Sequence, residues 1–379
     1  MIPEYQGMDP LSGFPDPPYV KTEMLSAMDA EGEAIRRGAA LLRNGEVVAF
    51  PTETVYGLGA NGLNPEATKK IFQAKGRPQD NPLILHIADF SQLDALIEPI
   101  SEEVRGILPH YWPGPMTFIF RRSALVPDEV TAGGETVAVR MPVHPVARAL
   151  IRESGVPVAA PSANRSGRPS PTTAEDVLED MEGRIPLILD GGATEIGLES
   201  TVLDLTTDPP AILRPGFYDV ERVRGDFPDI RGGEHAVAEA HVPEDYAVNG
   251  APKAPGMKYR HYAPKAEVTV FVGSDEAVAE RMAAEAHGRA QCGERVGFMV
   301  FDAMVNSLRA ALGNETEPIL TLGRRDAPET MGHRLFHAMR LLDHDGCDAI
   351  FVAGVDEAHV GVAVMNRLLK AAGGRKIEV

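Results

Sequence analysis

The chain has 379 residues, more than a single hydrophobic core usually serves, so two domains are expected. Hydrophobic residues make up 44% and charged residues 24%, the balance of a globular chain. The formal net charge of -18 works against sequence-blind nucleic-acid binding by the molecule as a whole, which needs phosphate-neutralising cations, and leaves room for a local basic cleft.

The two cysteines, Cys292 and Cys347, form no CxxC pair. They supply neither a cysteine zinc site nor a disulfide framework, which fits a reducing compartment. No run of about 18 apolar residues is present to cross a membrane. The opening MIPEY has no basic segment leading into an apolar one, so no secretory signal is read there and a cytoplasmic location is expected.

In chain order, residues 1–28 are rich in Pro, Gly and Asp and read as an N-terminal extension, draped over the surface or unordered. A first domain spans 29–231. Ala34, Ile35, Ala39, Leu41 and Leu42 fall at helical spacing, and that helix stops at Asn44-Gly45. A short buried strand is expected at 47–50. Asn64-Pro65 has the form of a helix cap with a first-turn proline, predicting a helix over 65–74. Further strands are read at 83–87, 116–120, 136–140, 157–160, 185–190 and 200–205. Residues 232–265 show no clear period and form an interdomain linker, whose second half is dense in Lys, Arg, Tyr and His. The last part, 266–379, alternates strands at 268–272, 296–301, 319–322 and 349–353 with helices at 274–290, 304–312, 327–343 and 359–372. Such units imply a small parallel sheet flanked by helices. Met331, Leu335, Met339 and Leu342 make an apolar helical stripe that reads as core.

The chemistry-bearing residues cluster in first-domain loops and strand ends, where α/β proteins place function. Residues 57–62 spell GxGxxG, but the helix signal comes only at Asn64-Pro65, too late for a dinucleotide fingerprint. Lys75 and Arg77 flank Gly76 at a helix end. They either cap the last helix carbonyls or clamp a phosphate group. His86 sits within a strand, where a satisfied core histidine is the ordinary outcome. Arg140 closes an apolar strand, fitting a bidentate hold on a carboxylate ligand or an ordinary salt bridge. The stretch 160–167 (APSANRSG) and Ser170-Pro171-Thr172 offer small and hydroxyl side chains that let a backbone approach a ligand closely. The stretches 199–202 (ESTV) and 214–216 (RPG) repeat this style. No Walker A loop, HExxH or GxSxG is present. Cations with hydroxyls and few carboxylates suit an anionic ligand such as a nucleotide.

Taken in order, 51–59 (PTETVYGLG), 75–82 (KGRPQDNP), His86, 160–167, 170–172, 199–202 and 214–216 resemble the YrdC family of threonylcarbamoyl-AMP synthases. The resemblance covers about residues 30–230. Residues 254–264 (APGMKYRHYAP) and 365–369 (MNRLL) resemble the family's longer, two-domain form. The implied fold is a twisted, open, YrdC-like α/β domain followed by a small Rossmann-like parallel α/β domain. The implied reaction joins L-threonine, bicarbonate and ATP into threonylcarbamoyl-adenylate and pyrophosphate. Magnesium accompanies ATP, and a downstream threonylcarbamoyl-transferase complex carries the group to tRNA.

By the same resemblance, Lys75 and Arg77 are the catalytic cations and face the ATP phosphates with Asn81. Ser162, Asn164, Ser170 and Arg214 hold the nucleotide, with Thr136 also facing it. Thr54, His86, Arg140, Ala160 and Ser200 bind threonine. Tyr262, with Tyr259, closes the site from the linker. No protein ligand for magnesium is implied, and Glu53 and Glu199 remain unassigned. Two rival readings are a carbamoyl transferase on a related domain, whose zinc-finger cysteines this chain lacks, and a non-enzymatic RNA-binding module, which the acidic charge disfavours.

Overall fold

The computed structural model describes residues 17–232, 247–248, 251–253, 262–313 and 317–379. The first domain contains β1 (Glu23–Ser26), α1 (Glu33–Arg43), β2 (Val48–Phe50), β3 (Gly57–Asn61), α2 (Pro65–Lys75), β4 (Ile84–His86), α3 (Leu93–Leu96) and α4 (Glu102–Ile107). It continues through β5 (Met116–Arg121), α5 (Asp128–Thr131), β6 (Thr136–Arg140), α6 (Pro145–Ser154), β7 (Val158–Ala160) and α7 (Ala174–Met181). It ends with β8 (Leu187–Asp190), β9 (Thr201–Asp204), β10 (Ala211–Arg214), α8 (Val220–Arg224) and β11 (Arg231–Gly232). A short antiparallel ribbon follows, β12 (Ala247–Val248) with β13 (Ala251–Pro252). The last domain alternates β14 (Glu267–Val272), α9 (Asp275–Gln291), β15 (Val296–Val300), α10 (Val305–Leu312), β16 (Ile319–Thr321), α11 (Glu329–His344), β17 (Ala349–Ala353), α12 (Val360–Ala372) and β18 (Lys376–Glu378).

The first eleven strands form one mixed sheet, ordered β1-β8-β2-β3-β7-β4-β6-β5-β9-β10-β11. The last five form a wholly parallel sheet, β16-β15-β17-β14-β18, as βαβ connections require. No helix among the described residues is long and apolar enough to cross a membrane.

Local chemistry explains the elements that carry the site. The Asn64 side chain accepts from the backbone of Glu66 and Ala67 and opens α2, with Pro65 in its first turn. Gly76 closes α2 in the left-handed region at φ 60°, a conformation that glycine adopts without a Cβ penalty. The chain therefore turns sharply between Lys75 and Arg77. In the sheet, β6 runs between β4 and β5, which pairs Arg140 with His86 on one side and Thr117 on the other. Paired residues on adjacent strands point to the same face, so these three polar side chains share one wall.

Three readings of the sequence need correction. Part of the supposed extension is a strand: β1 pairs parallel with β8, anchored by the Thr22 hydroxyl donating to the Ile185 carbonyl at 2.6 Å. Its side chains are alternately half-buried and exposed, so backbone pairing rather than an apolar run holds it, and little of that shows in the sequence. Residues 1–16 lie outside the described residues. The last third of the 51–59 segment, residues 57–59, opens β3. A Cβ on Gly59 would stand 2.7 Å from Val158 Cγ1 and 2.8 Å from Phe50 Cε1, and one on Gly62 2.4 Å from Leu85 Cδ2. The GxGxxG pattern thus records close packing of a strand against its neighbours. The polar strand β18 and the short β10 also carry too little periodicity to be read in advance.

The two domains share core. Val55 and Leu198 of the first domain pack in one cluster with Tyr262, Phe336 and the second domain's strands. Two buried arginines cross the seam. Arg340 on α11 donates to Asp180 Oδ2 at 2.7 Å and to the Pro169 carbonyl at 2.5 Å. Arg367 on α12 donates to Glu199 and to the Pro215 carbonyl.

Candidate active site

An open cleft of about 730 Å³ lies along the wall formed by β4, β6 and β7 and is bordered on the linker side by Tyr262. Thr54, Lys75, Arg77, His86, Arg140, Ala160, Ser162, Asn164, Ser170, Ser200, Arg214 and Tyr262 all line it. Twelve of the fourteen described residues singled out in the sequence are therefore gathered in one place. Asn81 and Thr136 do not line it. Thr136 starts β6, four residues before Arg140, which places it roughly 13 Å along the strand. Asn81 is fully buried behind Arg77, its carbonyl 3.4 Å from Arg77 Nη2, and its amide oxygen and nitrogen have no hydrogen-bond partner.

Lys75 does not cap its own helix. Its ammonium donates to the carbonyls of Ser162 and Asn164, each at 2.5 Å, tying the end of α2 to the 160–167 loop. Ser162 Oγ donates to Asn164 Oδ1 at 2.5 Å, and the Asn164 amide donates to the carbonyls of Arg165 and Arg168. These internal bonds hold the loop's hydroxyls and backbone against the cleft.

Arg140 has a carboxylate partner within the chain. Its Nη2 donates to Glu53 Oε1 at 2.6 Å, Nη1 to Thr54 Oγ1 at 2.8 Å and Nε to the Gly114 carbonyl at 3.4 Å. Glu53 also accepts from Val143 N at 3.2 Å. Of the two readings open for Arg140, the salt bridge is present. Three of five N–H donors are engaged by these bonds, so the fork keeps capacity for a second acceptor. His86 is buried, with Nδ1 3.2 Å from the Ile84 carbonyl and its ring edge-on to Phe50. Burial, with Arg140 adding to it, pulls its pKa down to about 3, so it stands as a neutral imidazole near pH 7.

On the opposite wall Arg214 donates from Nε and Nη2 to the Ser200 carbonyl at 3.1 and 3.0 Å, and from Nη2 to Ser200 Oγ at 3.1 Å. Ser200 Oγ also lies 2.8 Å from Thr117 Oγ1. Tyr262 is buried, stacked on Phe336 at 5.2 Å between ring centres. Burial first, then Glu199, raises its phenol to about 12. Tyr259, with most of the linker, lies outside the described residues.

A family model described as "Telomere recombination", for the Sua5, YciO and YrdC proteins, matches residues 40–216. A second, "Threonylcarbamoyl-AMP synthase, C-terminal domain", matches residues 225–373. The threonylcarbamoyl-AMP synthase of Bacillus subtilis is 47% identical over 94% of this chain and 97% of its own. That of Schizosaccharomyces pombe is 39% identical over 94% and 92%. The structure of P. abyssi Sua5 complexed with L-threonine is similar with a TM-score of 0.82 at 44% identity, covering 95% of this chain and 99% of that one.

The chain belongs to the Sua5/YciO/YrdC family. Within that family it has the two-domain form, as the 254–264 and 365–369 segments implied.

The sequence reading missed several contributors to the cleft. Glu53 and Glu199 sit inside recognised motifs but carried no role. Glu53 proves to be the partner of Arg140, and Glu199 lines the cleft. Arg168 also lines it and is paired with Asp180 and Glu179. Burial pushes the Glu199 carboxyl up, but Arg367, Arg214 and the Ser170 hydroxyl together hold it below the ordinary value. The Lys75 ammonium is pulled well below its ordinary value by burial and by Arg77. Both acidic groups near the cleft are thus committed to arginines and are poor candidates for a metal ligand. One His/acid group among the described residues, Asp219, Glu221 and His359, has metal-like spacing. It lies on the outer seam, with His359 Nδ1 already 2.8 Å from Asp219 Oδ2.

Proposed function

We propose that the chain is a threonylcarbamoyl-AMP synthase that uses this cleft to make L-threonylcarbamoyladenylate for threonylcarbamoyladenosine in tRNA. The observation carrying this reading is the gathering of Lys75, Arg77, Arg140 and Arg214 with the hydroxyls of Thr54, Ser162, Ser170 and Ser200 around one cleft. The names of the relatives, and the threonine bound by the P. abyssi protein, support the same reading.

The threonine amine adds to bicarbonate with loss of water, giving an N-carboxylate. That carboxylate oxygen attacks the α-phosphorus of ATP, and the bond to pyrophosphate breaks. Anionic reactants must meet, and at 4 Å with an effective dielectric near 20 each like-charge pair opposes this by roughly 4 kcal/mol. Several cations are therefore needed, and magnesium enters with ATP rather than on a protein carboxylate. Arg140 and Thr54 take the threonine carboxylate, with Ala160 beside it. Neutral His86 and Ser200 meet its amine and hydroxyl. Lys75 and Arg77 take the phosphates, and the unpartnered Asn81 amide stands behind Arg77 on the same side. Ser162, Asn164, Ser170 and Arg214 hold the nucleotide, and Thr136 is kept as a nucleotide contact on the resemblance alone. Tyr262 closes the linker side, keeping water from the mixed anhydride. Catalysis here is positioning and electrostatics. The product passes to a threonylcarbamoyl-transferase complex, and the cytoplasm is the proposed location.

Pyrophosphate release from purified protein tests this. Release should require ATP, magnesium, bicarbonate and L-threonine together, and fall about 100-fold or more for Lys75→Ala. ATP cleavage indifferent to threonine would overturn the assignment. Steeply salt-sensitive RNA binding without ATP turnover would favour the RNA-module rival.

A further inference from the structure

Arg367 belongs to the second domain, yet nearly all its bonds are in the cleft wall of the first. Its side chain is fully buried, a state in which an arginine persists only with partners. Nε donates to Glu199 Oε2 at 3.0 Å, Nη2 to the Glu199 carbonyl at 3.4 Å and Nη1 to the Pro215 carbonyl at 2.6 Å. Within its own helix Nη1 also reaches Asn366 Oδ1 at 3.3 Å. The second Glu199 oxygen accepts from the Ser170 hydroxyl at 2.5 Å. Pro215 directly follows Arg214, whose guanidinium grips Ser200. Glu199 is the sole carboxylate residue among the described residues lining the cleft.

We infer that Arg367 is a positioning residue for the nucleotide side of the cleft, holding Ser170 through Glu199 and Arg214 through Pro215 while cancelling the Glu199 charge. The inference rests on the ATP reading above. It gives the second domain a defined role in the site. Without Arg367 the Glu199 carboxylate would face an incoming triphosphate with no ion-pair partner, and two nucleotide contacts would lose their common anchor. Threonine, held across the cleft by Arg140, Thr54 and His86, would be little affected, because its remaining contact Ser200 keeps a second anchor in Thr117, 2.8 Å away.

The test is calorimetric binding of a non-hydrolysable ATP analogue with magnesium, and separately of L-threonine, to the full chain. Arg367→Met keeps the side chain's length without its charge. It should weaken the analogue by about tenfold or more and leave threonine within about twofold. Adding Glu199→Gln to Arg367→Met should restore most of the lost affinity, because a neutral pair replaces an unpaired charge. A generalised packing defect would weaken both ligands together and would not be rescued, and that result overturns the inference. If Arg367→Met does not fold, Arg367→Lys keeps the charge and loses the fork. An intermediate loss for the analogue alone is then expected, and equal losses for both ligands overturn it. Failure of the unmodified chain to bind the analogue would sink the ATP reading and this inference with it. Binding by the unmodified chain with unselective losses in the variants would sink this inference alone.

Discussion

At the scale of single residues the cleft is built from charges that are already spoken for. Glu53 neutralises Arg140 with both side chains almost fully buried, at 2% and 4% exposure. A buried pair of this kind is costly to break from one side. Glu53→Ala should therefore destabilise the chain by about 3–5 kcal/mol in denaturant titration and also weaken threonine binding. A change under about 1 kcal/mol would mean that the pair is solvated. His86 gives a pH signature. Its folded pKa lies near 3, against an ordinary 6.5, so between those values the unfolded chain binds a proton that the folded chain does not. Its contribution is fully present above pH 6.5 and is lost as pH falls towards 3. At about pH 4 the loss is on the order of 3 kcal/mol. Stability measured from pH 6.5 down to 4 should fall less steeply for His86→Asn than for the unmodified chain.

At the scale of elements, α2 and β3 position the catalytic wall. The left-handed Gly76 delivers Lys75 and Arg77 to the cleft from opposite sides of one turn. The glycines of β3 let it lie against β7, whose last residue Ala160 lines the cleft. Gly59→Ala would place a methyl 2.7 Å from Val158 Cγ1. It should cost about 1–3 kcal/mol of stability, read as a lowered denaturation midpoint, because the sheet must shift. An unchanged midpoint would mean that the strand spacing is slack. Motif residues at strand ends were legible in the sequence because their types and order are unusual. The partner of Arg140 was not, since only pairing of β4, β6 and β5 shows which polar groups share a face.

At the scale of the molecule, the seam behaves as core. Val55 and Leu198 are buried in the second domain's cluster, and Arg340 and Arg367 leave charged partners behind if that domain is removed. The full chain should unfold in one calorimetric transition, and a fragment ending at residue 232 should be aggregation-prone. Two separate transitions would show that the domains are independent. Two histidines also bridge the seam, His337 to Asp176 at 3.1 Å and His359 to Asp219 at 2.8 Å. Each carboxylate raises its histidine's pKa, so their contribution is present below pH 6.5 and fades as pH rises through the folded values. Both histidines are substantially exposed, so salt should weaken this effect.

The sequence by itself determined the two-domain α/β plan, the helix caps and most strands, because burial periodicity and cap chemistry act over a few neighbouring residues. Its motifs, through the family resemblance, also picked out twelve residues that the structure gathers around one cleft. Tertiary structure decided what spacing along the chain cannot express. It made β1 an edge strand, held by backbone bonds that any side chain permits. It left Asn81 behind the cleft wall and Thr136 at the far end of its strand. It also brought Glu199 and Arg367 to 3.0 Å across 168 residues, because an ion pair depends on distance in space, and only the packing of two domains sets that distance.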